Sequence, residues 1–358
     1  MYGTSTLFAK RASERMSTAS PGRASRSLVS LADFGANPGA LAAKMHVPEG
    51  LAAAAALVVV LHGCTQTAQG YDSGAGWSQL ADECGCAVLC PEQTRSNNPN
   101  LCFNWFQPAD TARGSGEVAS IRQMIAKMVE THGLDPARIF ITGLSAGGAM
   151  TAAMLAAYPE VFAAGAIIAG LPSGSATSVP EALQAMRRAS GGTRVATVSG
   201  HDGPWPSISI WHGDADRTVD RSNADAIVNQ WRDVHGVAGN GTTDLVDGHA
   251  RTMWHDADGR AVIEHFTIAG MGHGVPLATD QTDAIGSVGA YMLDHGISST
   301  RHIARFWGLA RASPAAAHPE KWAATKSAPA DKPRRIAATA AGPAKVIEDA
   351  LRAAGLMR

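Results

Sequence analysis

The stretch Arg138-Ile139-Phe140-Ile141-Thr142-Gly143-Leu144-Ser145-Ala146-Gly147-Gly148-Ala149-Met150 decides the fold. Its first half is short, apolar and β-branched, which reads as a buried strand. Small and apolar residues then recur at helical spacing through Met154, Leu155 and Tyr158. A strand therefore meets a helix across a sharp turn, with Ser145 at the apex. In a G-x-S-x-G turn of this kind the serine hydroxyl projects above the sheet. Side chains at 143 and 147 would collide as strand and helix close on one another, so both positions call for glycine. The helix beneath adds unsatisfied N–H groups and its dipole, which favour negative charge developing at the serine.

Working outward, Leu57 to Leu61 is a continuous apolar run ended by His62-Gly63-Cys64, the pattern of a central strand buried on both faces. Ala42 to Val47 reads as an edge strand, Trp77 to Cys84 as a helix and Ala87 to Cys90 as the next strand. A crossover of this kind implies parallel pairing. Ser115 to Thr131 places Val118, Ile121, Ile125, Met128 and Val129 on one helical face, with Gly133 as its stop. Further strands are predicted over Ala163 to Ala169 and Ser207 to His212, and helices over Pro180 to Ser190 and Asn223 to His235. Arg251 to His255 and Ala261 to Ile268 read as a hairpin whose Asp258-Gly259 supplies the positive φ of the turn. Thr282 to Asp294 is expected to be the closing helix.

Alternating β and α elements give an α/β protein, with a mostly parallel central sheet flanked by helices. The expected organisation is one catalytic domain over residues 41–308, a basic low-complexity arm over 1–40, and an Ala/Pro/Lys-rich tail over 309–358. Within that tail, Pro343 to Leu356 has the pattern of one amphipathic helix. The 358 residues carry a formal charge of -1, so no net field recruits nucleic acid or an anionic membrane. No apolar run approaches the length of a membrane span. The arm has no apolar h-region and does not read as a secretory signal, which points inside the cell.

The chemistry-bearing residues follow the serine in the order Ser145, Asp216, His273, each just after a predicted strand. In this architecture the C-terminal strand ends share one rim, so the three can converge. Ser145 would attack a carbonyl, His273 would take and return the proton, and Asp216 would hold the imidazole. Asp214 is the rival acid, but Asp216 is carried further past the strand end towards the histidine. His62 reads as structural. The tetrahedral intermediate needs two aimed N–H donors. Ala146, directly after the nucleophile, supplies one, and Cys64, in the loop after the first central strand, is the choice for the other. Thr94 to Gly116 is irregular and holds the densest aromatic patch, in which Phe103 and Trp105 are candidates for lining the substrate pocket. No metal, nucleotide or flavin is required.

Five cysteines, at positions 64, 84, 86, 90 and 102, fall in one window. They read as buried thiols, with one or two disulfides in an oxidising compartment. Cys90 ends a predicted buried strand, which argues against a zinc site built on Cys84, Cys86 and Cys90.

Several segments together resemble the polyhydroxybutyrate (PHB) depolymerase-type esterase family of the α/β-hydrolases. They are Leu61-His62-Gly63-Cys64-Thr65-Gln66, Pro91-Glu92-Gln93, Cys102-Phe103-Asn104-Trp105-Phe106, Gly143 to Met150, Ile210 to Asp216 and Gly272-His273-Gly274. The resemblance implies the α/β-hydrolase fold and ester hydrolysis through an acyl-enzyme, with Ser145, Asp216 and His273 as triad and Cys64 as oxyanion donor. It also implies that Cys64 pairs with Cys102, tying the oxyanion loop to the aromatic loop. The substrates expected are short hydroxyalkanoate or related acyl esters, small or oligomeric, and members of the family are often extracellular. The same family includes feruloyl and acetylxylan esterases, which is the alternative reading. A third is a non-catalytic binding protein of this fold whose biased tails recruit a partner.

Overall fold

The computed structural model describes residues 27–189 and 201–310 of the chain. Two short strands, β1 (Val29–Ser30) and β2 (Ala42–His46), lead into an alternating run. It comprises β3 (Leu57–Leu61), α1 (Ala68–Ala75), α2 (Trp77–Cys84), β4 (Ala87–Glu92), α3 (Pro108–Thr111), α4 (Gly116–His132), β5 (Ile139–Leu144), α5 (Ala146–Ala157), β6 (Ala164–Ile168), α6 (Val179–Arg187), β7 (Ser207–Gly213) and α7 (Ser222–His235). A meander of β8 (Thr242–Val246), β9 (His249–His255) and β10 (Ala261–Ile268) follows, then β11 (Val275–Leu277), β12 (Met292–Asp294) and α8 (Ser299–Phe306).

Among the described residues ten strands form one sheet, in the order β1-β2-β4-β3-β5-β6-β7-β10-β9-β8. Neighbours from β4 across to β10 pair in parallel, while the pairs at both ends are antiparallel. All five residues of β3 are buried, and they alternate between two cores. Leu57, Val59 and Leu61 pack with Ile121 and Met124 of α4 and Met150 of α5. Val58 and Val60 pack with Tyr71, Leu80 and Ile303 of the helices on the other face. Both faces are therefore dry, which is why this strand reads as an unbroken apolar run rather than an alternating one.

The chain leaves β3 towards β4 on one side and later resumes at β5 on the other, so the direction of winding reverses between β3 and β5. Open parallel sheets bind ligands outside the carboxyl ends of the strands at such a reversal. The loops that start there are His62 to Gln66 and the Ser145 turn.

The glycines of that turn are required by backbone approach. A Cβ on Gly143 would overlap the carbonyl of Gly147, and one on Gly147 would overlap the Leu61 carbonyl and lie 2.5 Å from the His62 carbonyl. The obstruction is main chain in both cases, so no side-chain rotation can relieve it.

The irregular segment between β4 and α4 is organised by a buried carboxylate. Glu117, in the first turn of α4, accepts from Gln93 Nε2 at 2.6 Å, Asn97 Nδ2 at 3.1 Å and the Asn104 backbone N–H at 2.9 Å. It thus ties the start of the helix to three points along the loop that carries the aromatic patch. Burial pushes its carboxyl up to about 8, against the hydrogen bonds from Asn104, Gln93 and Asn97, which favour the charged form.

Several expectations are corrected. Thr282 to Asp294 is not a helix: it runs as a loop through Gly286, with φ of 76°, into β12, and the closing helix is α8, capped by Ser298. The physical reason is a close approach, since a Cβ on Gly286 would overlap the Gly74 carbonyl of α1. Periodicity placed apolar residues at helical spacing there, but Ile285 and Met292 are buried by docking onto α1 and α2. Seven elements, β1, α1, α3, β8, β11, β12 and α8, had no counterpart in the sequence reading. Packed chain also starts before residue 41: Val29 and Ser30 pair with Met45 and Lys44, and Leu31 is buried. Residues 1–26, 311–358 and the proposed terminal helix lie outside the described residues.

Two outcomes follow from these contacts. Gly147→Ala loses about 3 kcal/mol of unfolding free energy or fails to fold, because a well-packed site cannot absorb the added carbon. Gly85→Ala, at a left-handed helix end with open space around it, costs only about 1 kcal/mol; urea melts of the two variants compare them. The second concerns pH. Because the folded-state pKa of Glu117 is raised, its contribution is complete below the ordinary value of 4.5 and is lost as pH rises towards about 8. Relative to Glu117→Gln, the wild type should therefore lose stability between pH 5 and 8 with a slope approaching about 1.4 kcal/mol per pH unit. Parallel slopes for the two proteins would show that the carboxyl titrates normally.

Candidate active site

Ser145 sits between β5 and α5 with φ of 57° and ψ of -117°, a backbone conformation sparsely populated for any residue with a side chain. Its N–H donates to the Ile168 carbonyl at 2.9 Å, and its own carbonyl accepts the Ala149 N–H at 2.8 Å. The strain is thus held by β6 on one side and the first turn of α5 on the other.

The loops after β7 and β10 bring the acid to the histidine. His273 Nδ1 lies 2.7 Å from Asp216 Oδ2, with both side chains buried. Asp216 Oδ1 accepts the backbone N–H groups of Thr218 at 2.8 Å and Val219 at 3.0 Å. Burial opposes ionisation of Asp216, but hydrogen bonds from His212 and His273 outweigh it and hold the carboxyl well below the ordinary range. The nearer of those two is His273: His212 Nε2 is 3.5 Å from Oδ2 and makes its shorter contact, 2.9 Å, with the Val219 carbonyl. An ionised Asp216 accepts the Nδ1 proton of His273 and leaves Nε2 as the free nitrogen of the ring. Asp214 does something else, accepting the Gly270 N–H at 2.7 Å and so pinning the loop that leads to His273. Gly213 lets the two loops touch, since a Cβ there would overlap the Met271 carbonyl.

Ser145 and His273 line one cleft of about 220 Å³, together with Gly63, Cys64, Gln66 and Tyr291. Ala146 is the first residue of α5, so its N–H has no acceptor within the helix. Cys64 faces Ser145 across both this cleft and the larger cavity beside it. Cys64 and Cys102 form a disulfide, and Thr65 N–H donates to the Asn100 carbonyl at 2.7 Å, so the loop after β3 is fastened to the aromatic segment. Closing a loop over a sequence separation of 38 residues restricts the unfolded chain by about 4 kcal/mol. Cys84, Cys86 and Cys90 are free thiols. His62 is fully buried, with Nδ1 donating to the Gly63 carbonyl at 2.8 Å and Nε2 accepting the Gln93 N–H at 3.1 Å. It braces the loop from behind, and burial holds its pKa low.

The larger cavity, about 520 Å³, opens on the other side of Ser145. Trp105 lines it, as expected. Phe103 does not: it is buried in the core, its ring 5.0 Å from that of His62. The segment is not a regular strand and turns at Trp105 and Phe106, so these two aromatics are not held to the face of Phe103, and with Cys102 they reach the cavity. Phe106 also lines it, and the roof comes from Val179, Ala182, Leu183 and Met186 of α6. Those four sit at helical i, i+3, i+4 and i+7 spacing, a signal that was available in the sequence but had no surface to assign it to. Among the described residues no group of three or more His, Cys, Asp or Glu is placed to hold a metal ion, and no helix is long and apolar enough to cross a membrane.

The chain is similar to several known proteins. Poly(3-hydroxyalkanoate) depolymerase C of Paucimonas lemoignei is 43% identical over 291 residues, covering 79% of this chain and 70% of that protein. Feruloyl esterase B of Talaromyces funiculosus is 30% identical over 266 residues, covering 70% of this chain and 74% of that protein. Among solved structures, the acetyl xylan esterase from Aspergillus awamori superposes with a TM-score of 0.66 at 25% identity, over 80% of this chain and all (100%) of that one. The family model described as esterase PHB depolymerase matches residues 41–253, and the chain belongs to that family.

Proposed function

We propose that the chain is a serine esterase acting on short 3-hydroxyalkanoate or related acyl esters. The reading is carried by one observation: a buried, ionised Asp216 holds His273 in a cleft that also contains Ser145, directly beside an apolar cavity. Ser145 Oγ attacks the ester carbonyl while His273 Nε2 takes its proton, forming a C–O bond and an oxyanion. The N–H groups of Cys64 and Ala146 receive that oxyanion. Collapse breaks the bond to the alcohol, which leaves with the proton held by His273. Water then repeats the sequence on the acyl-enzyme and releases the acid.

This order assigns the two sides of the site. His273 hands its proton to the departing alcohol, and it lines the smaller cleft but not the larger cavity. The alcohol portion therefore occupies the smaller cleft and the acyl portion the larger cavity. Trp105, Phe106, Leu171 and the apolar face of α6 suit an acyl chain of a few carbons. The Paucimonas relative, named a poly(3-hydroxyalkanoate) depolymerase, supports hydroxyalkanoate as the substrate class. A second reading, deacylation of plant polysaccharide, is supported by the acetyl xylan and feruloyl esterases among the relatives. The Cys64–Cys102 bond supports work in an oxidising, extracellular compartment.

Purified protein is expected to hydrolyse p-nitrophenyl butyrate and to be labelled on Ser145 by a fluorophosphonate, and Ser145→Ala should lower kcat by about five orders of magnitude. Substantial turnover by that variant would rule out the acyl-enzyme route. Rates on hydroxybutyrate oligomers, methyl ferulate and acetylated xylan separate the two substrate readings. For the acyl side, Ala182→Leu narrows the cavity from α6, so the ratio of kcat/KM for p-nitrophenyl butyrate over acetate should fall about tenfold.

A further inference from the structure

The smaller cleft carries a polar group that the hydrolytic steps leave unused. Gln66 lines it with Ser145, His273 and Tyr291. The Gly63 N–H donates to the Gln66 side chain at 2.8 Å, so the atom facing it is the carbonyl oxygen Oε1. What Gln66 has left to offer the cleft is the amide nitrogen with its two N–H bonds. The amide is held in that sense by a tight turn: Gln66 N–H donates back to the Gly63 carbonyl at 3.3 Å, and His62 Nδ1 binds the same carbonyl.

Tyr291 forms the facing wall. Its φ of 63° is strained for an aromatic residue. The conformation is fixed because its carbonyl accepts the Val275 N–H at 2.8 Å and its backbone lies over Gly274, where a Cβ would sit 2.6 Å from the Tyr291 oxygen. The ring stands edge-on to His273 at 6.0 Å, and the phenol hydrogen-bonds Thr65. The Thr65 hydroxyl also lies against the Cys64 carbonyl at 2.6 Å, so the phenol is engaged by that loop rather than by the cleft. Tyr291 therefore serves as a wall, and Gln66 offers the donor.

We infer that this cleft is a subsite for leaving alcohols that carry their own carbonyl, recognised by Gln66 Nε2 with Tyr291 as the opposing wall. A 3-hydroxyacyl alcohol fits: its C1 carbonyl lies two carbons from the carbon bearing the departing oxygen, within the reach of a small cleft. A simple alkyl alcohol of the same bulk would cover the amide without satisfying it, which is unfavourable. The inference rests on the esterase reading above and specifies its alcohol side, with Gln66 as a specificity-determining residue.

The test keeps the acyl group constant and varies the alcohol. Methyl 3-(butanoyloxy)butanoate and hexan-2-yl butanoate, matched in length, are compared by release of butanoic acid, each rate divided by the hydroxide-catalysed rate of the same bond. The wild type should favour the carbonyl-bearing ester in kcat/KM by about tenfold. Gln66→Glu keeps an oxygen for the Gly63 N–H but replaces both donors with a carboxylate, and should bring the ratio to about one or below. A wild-type ratio near one, or a ratio unchanged in Gln66→Glu, overturns the subsite while hydrolysis of both esters leaves the esterase reading intact. Failure to cleave either ester, with acetylated xylan still deacetylated, overturns the subsite together with the hydroxyalkanoate reading.

Discussion

The structure depends on how closely the first turn of α5 can lie against the end of β3. Gly147 brings main chain to main chain at Leu61 and His62, and Gly143 does the same within the elbow. That approach sets the position of Ser145 relative to the loop that begins at His62, and so fixes both N–H groups assigned to the oxyanion with respect to the nucleophile. A hydrogen bond misplaced by an ångström loses most of its worth in such a site. The precision comes from backbone sterics rather than from adjustable side chains. On the opposite side Gly213 plays the same part, letting the Asp216 loop rest on the carbonyl of Met271 just before His273.

A rigid elbow would achieve little if the neighbouring loops drifted. The loop after β3 is held by the Cys64–Cys102 bond and the Thr65 to Asn100 hydrogen bond, and the aromatic segment is held in turn by Glu117. The chain of restraint runs from α4, through a buried carboxyl group, to the disulfide and then to the loop after β3. Three hydrogen bonds converging on one buried carboxyl group are a stronger fastening than the irregular sequence of the segment suggests. They also explain why so long a stretch without regular structure remains part of the packed domain.

Much of this was legible in the chain because the signals were local. β3 and β5 read as buried strands from their unbroken apolar runs, and the elbow read as a turn from Gly143 and Gly147, since the clash that demands them is between neighbouring elements. The pairing of Asp216 rather than Asp214 with His273 was accessible from spacing past the strand end. What escaped depended on surfaces that no single segment reveals. Thr282 to Asp294 read as a helix, but Ile285 and Met292 within it are buried by docking against α1 and α2, and Gly286 is there for contact with Gly74. Phe103 and Trp105 looked equivalent, and only the turn at Trp105 and Phe106 separates the one in the core from the other at the cavity. The roof over that cavity was periodic in sequence, yet nothing in the sequence said what lay beneath it.

The charges in the site explain why so little positive potential is needed around it. Before attack the three groups hold one negative charge, on Asp216. On the proposed mechanism, proton transfer from Ser145 to His273 as the C–O bond forms would leave an imidazolium between two anions, so the total is unchanged and only its distribution alters. The site has to stabilise charge separation, which fixed dipoles do well in a dry environment. In the proposed mechanism Asp216 faces the imidazolium from one end, and the Cys64 and Ala146 N–H groups would receive the oxyanion at the other. The surrounding histidines do not disturb this balance. Burial keeps His62 low, and burial with the nearby His212 and Arg221 pushes His265, behind the acid loop, down to about 4. Both are therefore neutral near pH 7 and add no charge beside Asp216 and His273.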